Sequence, residues 1–401
     1  MTPVRCCELR FVASLSISVL YGATAAAQPV APQPPPTPQS DRQGDAWQYG
    51  AFADVAAIDD FNDPPNRLFR SRGTTWHVDG IYLNMAGASL KRKASTQSRW
   101  GTELLVQTGK DDEIFGFSAT APNISGADWL RHLGLANVSY LAPVGTGLTV
   151  QGGIFSSLIG YDSLYAKDNF NYTRPWGADF TPYLMLGVNA SYPLTEKLTG
   201  TAFIVNGYWH LADANGVPSS GLQLAYRPTS KLTVKHTVLA GPHQTNTSFR
   251  FWRFLSDTIV EHRGDRVTSV LEYHFATEQV DGAVPGRAWW MAAQLPLRWN
   301  VRGPWSVVLR PEIAWDSEGR WTLAEQTVTA LTTTLEYRVP FKWTTSMIRV
   351  EHRVDRSRGP QGGFFADGPA PEVARLRPTQ HLLLVAAIVT FDSPASRRPG
   401  G

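Results

Sequence analysis

The sequence predicts an all-β protein: a transmembrane, antiparallel up-and-down β-barrel of about sixteen strands (range roughly 14–18) with short turns at one end and longer loops at the other. Three observations predict it. First, apolar and polar residues alternate with period 2. In Trp305–Trp315 one face carries Val307, Leu309, Ile313 and Trp315, and the other Ser306, Arg310 and Glu312. In Thr345–Val354 the faces are Ile348, Val350 and Val354 against Arg349, Glu351 and Arg353. Successive side chains of a strand point to opposite sides, so each segment has one apolar and one charged face. Second, short and long connections take turns along the chain. Third, the pattern recurs until the chain is nearly spent, which asks for a solvent that covers a very large apolar face.

The ends come first. Arg5 and Arg10, the apolar run Phe11–Tyr21 and Ala25-Ala26-Ala27 have the form of a secretory signal over residues 1–27. That run is too short to span a bilayer, and the chain has no stretch of 18 apolar residues. Residues 28–45 are a Pro-rich, disordered spacer. Both cysteines, Cys6 and Cys7, precede the apolar run, so the processed chain would hold no disulfide, thiolate metal site or cysteine nucleophile. The formal net charge of +3 in 401 residues gives no concentrated basic surface, and no nucleic-acid partner is expected.

The barrel is expected over 46–391, followed by a polar tail at 392–401. Strand-like segments fall near 46–58, 74–91, 98–109, 131–142, 147–156, 184–194, 198–209 and 219–227. Eight more follow near 231–240, 251–262, 266–279, 286–299, 304–316, 324–339, 342–355 and 378–391. Short turns such as Pro143–Gly147, Leu194–Lys197, Pro228–Lys231, Arg263–Arg266 and Asn300–Pro304 alternate with longer connections at 59–73, 110–130, 157–183, 210–218, 241–250 and 356–377. A Greek-key sandwich has no reason to keep that beat.

Aromatic residues gather toward both ends of the segments. Trp47, Trp100, Tyr140, Tyr192, Tyr226, Trp299, Trp305 and Trp343 lie toward the short turns. Tyr208, Trp209, Trp252, Trp289, Trp290, Trp315 and Trp321 lie toward the long loops. Two belts suit side chains with one apolar and one wet end. A sheet in lipid cannot keep an edge, because each unpaired backbone group there costs several kcal/mol. The final segment, His381–Phe391, is nearly all apolar and ends on an aromatic, as expected of a closing strand that barrel-insertion machinery handles.

The stretch Gly153-Ile-Phe-Ser-Ser-Leu-Ile-Gly-Tyr-Asp, continuing to Asn169-Phe-Asn-Tyr-Thr-Arg-Pro175, resembles the OmpL-like β-barrel porins of Gram-negative bacteria. Tyr49–Val55 with the Asn/Pro-rich stretch Asn62–Asn66, and Leu133–Tyr140 ahead of Pro143–Leu148, are similar to that family as well. The resemblance implies a porin-like barrel in the bacterial outer membrane, reached through the inner membrane by way of the N-terminal signal. It implies no particular substrate.

If the apolar faces meet lipid, the polar faces line the interior. An Arg or Lys facing mid-bilayer lipid costs roughly 2–4 kcal/mol, which fixes the sidedness. The pore-lining candidates are Glu103, Lys235, Glu272, Arg310, Glu312, Glu336, Arg338, Arg349, Glu351 and Arg353. They would either set ion and solute preference or merely stiffen the wall as cross-strand ion pairs. The connection 157–183 carries Asp162, Lys167, Asp168 and Arg174, candidates for a constriction if it folds inward; as an external loop it would pack on its neighbours instead.

No catalytic residue, cofactor or metal site is expected. His236 and His243 sit seven apart and His262 and His274 on different strands, without a common focus. Gly359–Gly363 lacks the Lys-Ser/Thr of a phosphate loop, and no Gly-x-Ser-x-Gly occurs. The expected function is a passive channel for ions or small hydrophilic solutes, with outer-membrane lipid around it and a homotrimer as a possible assembly. The alternatives are a barrel hydrolase, for which only the local pairs His210/Asp213 and His352/Asp355 could be offered, and a plugged structural or adhesive barrel.

Overall fold

The computed structural model describes residues 46–113, 127–207, 215–244, 247, 249–280, 286–341, 344–370 and 373–393. The expected signal, the spacer, most of the tail, and Tyr208, Trp209, His210, Asp213 and Trp343 lie outside them.

The wall begins with β1 (Gln48–Asp60), β2 (Gly80–Arg92), β3 (Trp100–Thr108), β4 (Leu133–Ala142), β5 (Leu148–Ser156), β6 (Leu184–Pro193), β7 (Leu198–Val205) and β8 (Ser219–Tyr226). It continues through β9 (Leu232–Pro242), β10 (Trp252–Arg263), β11 (Val267–Val280), β12 (Gly286–Gln294), β13 (Leu297–Arg302), β14 (Trp305–Asp316), β15 (Gln326–Pro340) and β16 (Thr345–Arg358). A small ribbon of β17 (Phe364–Ala370) and β18 (Val373–Arg377) interrupts the long connection before the last strand, β19 (Thr379–Asp392).

β12 and β13 are one strand broken at Leu295-Pro296: both pair with β11 on one side and β14 on the other. Pro296 has no N–H to give the ladder, which explains the break. Counted so, the barrel has sixteen antiparallel strands. β19 closes it on β1, with Ala51 opposite Phe391 and Asp60 opposite Leu382. Each wall strand therefore has a partner on both sides, the only sheet arrangement that leaves no edge in hydrocarbon.

Exposure alternates along the strands. Ile81, Val188, Ile204, Leu222, Leu271, Ile313 and Val389 are exposed on the outside, an apolar surface that only lipid covers without penalty. Trp47, Trp100, Tyr226, Trp299 and Trp305 are exposed toward the short turns, with Trp100 beside Tyr140 at 4.7 Å between ring centres. Trp252 is exposed at the opposite end. Trp290 is a correction to the long-loop belt: it is fully buried and packs edge-on against Trp321 at 5.7 Å.

The interior is not simply wet. Leu382, Leu384, Ala386 and Ile388 of β19 are buried, in one apolar cluster with Tyr172, Trp176 and Phe180. Phe69, from the connection after β1, meets Trp176 at 5.7 Å, and Phe364 of β17 meets Trp176 at 6.1 Å. The last strand is apolar on both faces for this reason: one side meets lipid, the other a dry core.

Candidate functional site

That core is built by the connection 157–183, which runs inside the barrel. It leaves β5 at a neck where the Ser157 N–H bonds the Tyr183 carbonyl at 3.0 Å. Gly153 has φ +118, and a Cβ there would lie 2.2 Å from the Ala136 carbonyl oxygen. Glycine is therefore required at the head of the family-like stretch.

Irregular backbone at membrane depth has no ladder to satisfy its polar groups, and each must find another partner. The wall supplies them by charge. Carboxylates take the loop's N–H groups: Glu351 accepts from Tyr172 at 2.7 Å and Thr173 at 2.9 Å, and Glu312 from Trp176 at 2.6 Å. Asp257 accepts from Gly160 and Glu272 from Tyr161, both at 3.0 Å. Guanidinium groups take the carbonyls. Arg349 donates to Ala166 at 2.8 Å, Asn171 at 3.1 Å and Asn169 at 2.6 Å. Arg310 donates to Thr173 at 2.7 Å, and Arg353 and Arg72 to Arg174 at 3.0 and 2.8 Å.

These groups also neutralise one another. Glu336 pairs with Arg349 directly opposite it on the neighbouring strand, at 2.8 Å, and with Arg298 and Arg338 at 2.8 and 2.9 Å. Glu312 pairs with Arg353 at 3.0 Å and Arg310 at 3.4 Å; Arg353 pairs with Asp355 at 2.9 Å. A buried charge without a partner would cost several kcal/mol, so the row forms only as a set.

The sequence candidates divide into two groups. Glu272, Arg310, Glu312, Glu336, Arg349, Glu351 and Arg353 face inward but are all buried. Six of them bond the loop directly, and Glu336 is enclosed by its arginine partners. Glu103 is half-buried, held by Lys91 at 2.6 Å; Arg338 is partly buried, with 42% of its side chain exposed, and Lys235 shares the inner face with Thr237. Within the loop, Arg174 is fully buried, paired with Asp111 at 3.1 Å. Asp162 is packed against Gln294, which donates to it at 2.6 Å. Lys167 and Asp168 pair at 2.8 Å and keep 24% and 48% of their side chains exposed. The Lys167 ammonium lies 5.2 Å from the Phe52 ring.

Asp111 lies in the short turn Lys110–Asp112, past the end of β3. Burial pushes the Asp111 carboxyl up to about 6, against the pull of the Arg174 guanidinium and a bond from the Thr75 N–H. Sequence reading missed Asp257 and Arg72, and it offered Asp355 only as a hydrolase partner of His352. Asp355 and Asp257 were within reach, since each continues the inward alternation of its strand (Arg353 to Asp355, Arg253 to Asp257). Asp257, Glu272 and His274 also offer three potential metal ligands within 4.8 Å of one another, a focus that no spacing along the chain announced. His352 and Asp355, by contrast, leave the strand on opposite faces, one exposed and one buried, and cannot act together.

No curated protein matches this sequence. Among solved structures, the chain is similar to the outer-membrane channel DcaP of Acinetobacter baumannii, with 10% identity over 87% of this chain and 96% of that one, and a TM-score of 0.54. It is similar to an anion-selective porin from Comamonas acidovorans, with 11% identity, coverage of 86% and 99%, and a TM-score of 0.55. The trimer form of OmpT of Vibrio cholerae gives 10% identity, 86% and 100% coverage, and a TM-score of 0.54. At such identities these likenesses concern the fold. The family described as "Putative beta-barrel porin-2, OmpL-like" matches residues 47–391, the whole barrel, and the chain belongs to that family of outer-membrane porin-like channels.

Proposed function

We propose that this barrel passes small hydrophilic ions or solutes passively, through a lumen narrowed by the segment 157–183 and filtered by charge. The observation that carries the reading is the division of labour among its charges. A buried set pins the loop to β10–β16, whereas Lys167, Asp168, Glu103 with Lys91, and Arg338 keep water contact. A rigid constriction with a few wet charges discriminates by size and sign at small energetic cost. The reading requires no covalent step.

The finer parts of the reading follow the same physics. Residues 1–27 would direct export and be removed; residues 28–45 would be a spacer, and 392–401 a tail. Insertion machinery would deliver the barrel, and the outward apolar face would sit in outer-membrane lipid. Three copies would associate, as the OmpT trimer form does. Purified protein in a planar bilayer should give discrete conductance steps, in triplets if trimeric. A silent bilayer from correctly folded protein would leave the plugged, structural barrel instead.

A further inference from the structure

We propose that Asp257, Glu272 and His274 form a divalent transition-metal site, of the zinc or manganese class, that fastens the inward loop to the wall. The three residues converge through sheet geometry. His274 lies directly opposite Asp257 in the β10–β11 ladder, and Glu272 is two residues before His274, on the same face. Their ligand atoms lie within 4.8 Å of one another, and all three side chains are buried.

The hydrogen bonding around the cluster is incomplete in a way that a cation would complete. Both ring nitrogens of His274 are buried without a partner, and so is Asp257 Oδ1. A buried histidine with neither nitrogen satisfied forfeits the full desolvation cost of its polar atoms, which makes such a group worth explaining. The second oxygen of Asp257 and one oxygen of Glu272 are already oriented by the Gly160 and Tyr161 N–H groups, and Gln294 Nε2 orients the other Glu272 oxygen. Ligating carboxylates are typically held by just such outer hydrogen bonds. Gln294 Oε1 is also buried and unpaired, a candidate fourth donor beside water.

The donor set points to the metal class. Imidazole selects against calcium and magnesium, and two carboxylates select against copper(I), leaving zinc, manganese and their neighbours. Donors around zinc stand about 3.4 Å apart in a tetrahedron with bonds of about 2.0–2.2 Å, so side-chain adjustments of about an ångström would close the site. The loop already lies over it: a Cβ at Gly177 would fall 2.6 Å from His274 Cε1, and one at Gly160 3.7 Å from Glu272 Oε1. The bound cation would offset the two buried carboxylates and so steady the Gly160 and Tyr161 limb of the loop, which bonds them, against β10 and β11. This site is independent of whether the lumen conducts.

The experiment uses the full barrel folded in detergent and stripped with chelator. Zinc titrated by calorimetry should bind at one equivalent, and zinc should raise Tm by a few degrees over the chelated protein. Cobalt should give visible bands of an imidazole-ligated, low-symmetry ion. His274→Ala and Asp257→Asn should each weaken zinc binding about tenfold or more, while Asp265→Asn, on an exposed turn, should leave it unchanged. Should the strand variants fail to fold, the cobalt spectrum of the unaltered protein decides alone. Absence of stoichiometric zinc, manganese and cobalt binding, or binding that His274→Ala leaves intact, would overturn the proposal.

Discussion

Glu351 of β16 receives the backbone N–H of Thr173 at 2.9 Å, across 178 positions of sequence, and the Thr173 hydroxyl bonds the same carboxylate oxygen. One buried carboxylate thus does for an irregular segment what a neighbouring strand does for a regular one. Glu351→Ala would strand the N–H groups of both Tyr172 and Thr173 in a dry interior, at about 1–3 kcal/mol each. The expected outcome is a lower Tm with the barrel retained, and noisier, larger single-channel steps as the loop loosens. Steps and Tm identical to those of the unaltered protein would refute the anchoring role.

Ion preference should respond to the wet charges and not to the buried ones. Lys167→Glu leaves the loop's backbone bonds intact and reverses a charge that retains water contact beside Asp168. Reversal potentials in a salt gradient should move toward cations, by a few-fold in permeability ratio. Arg349→Gln behaves differently, because Arg349 supplies three bonds to loop carbonyls and an ion pair to Glu336. It should cost stability, read as Tm, well before it changes selectivity. The opposite ranking would return the pore lining to β16.

Much of the wall was legible because two strong constraints act residue by residue. Lipid outside and a ladder on both edges leave period-2 alternation no freedom, so the sixteen segments, the short turns and the closing strand at His381–Phe391 could all be read directly. The contents of the barrel were not legible in the same way. Arg310, Arg349 and Glu351 were readable as inward-facing, but nothing in β14 or β16 says that a segment some 140 to 180 residues away will cover them. Contacts of that separation depend on three-dimensional closure, not on local pattern. The Asp257–His274 pairing is of the same kind: it becomes visible only once the β10–β11 register is known.

Closure itself is testable. Ala51 to Asp60 of β1 take their second set of partners from Leu382 to Phe391, and Tyr49 meets Phe391 at 6.3 Å between ring centres. Removing 394–401 takes nothing from this ladder, and heat-modifiable migration on a gel, the signature of a closed barrel, should persist. Removing 385–401 leaves much of one edge of β1 and β16 unpaired in hydrocarbon, at several kcal/mol per group. That variant should never reach the folded band; a folded band from it would contradict the closure.

Asp111 gives a pH dependence with a definite sign. Its carboxyl is raised by burial from 3.8 to about 6 in the folded chain, despite Arg174 at 3.1 Å. Between roughly pH 4 and 6 the folded state therefore holds a proton that the unfolded state has already released. This group's contribution to stability is fully present below its unfolded pKa and falls as pH rises through 6, by up to about 3 kcal/mol. In Asp111→Asn that dependence disappears, because the amide does not titrate. Melting temperatures of the two proteins from pH 4 to 7 should diverge in slope across the window, the unaltered chain losing more on the way up. Parallel profiles would mean that Arg174 keeps Asp111 ionised throughout.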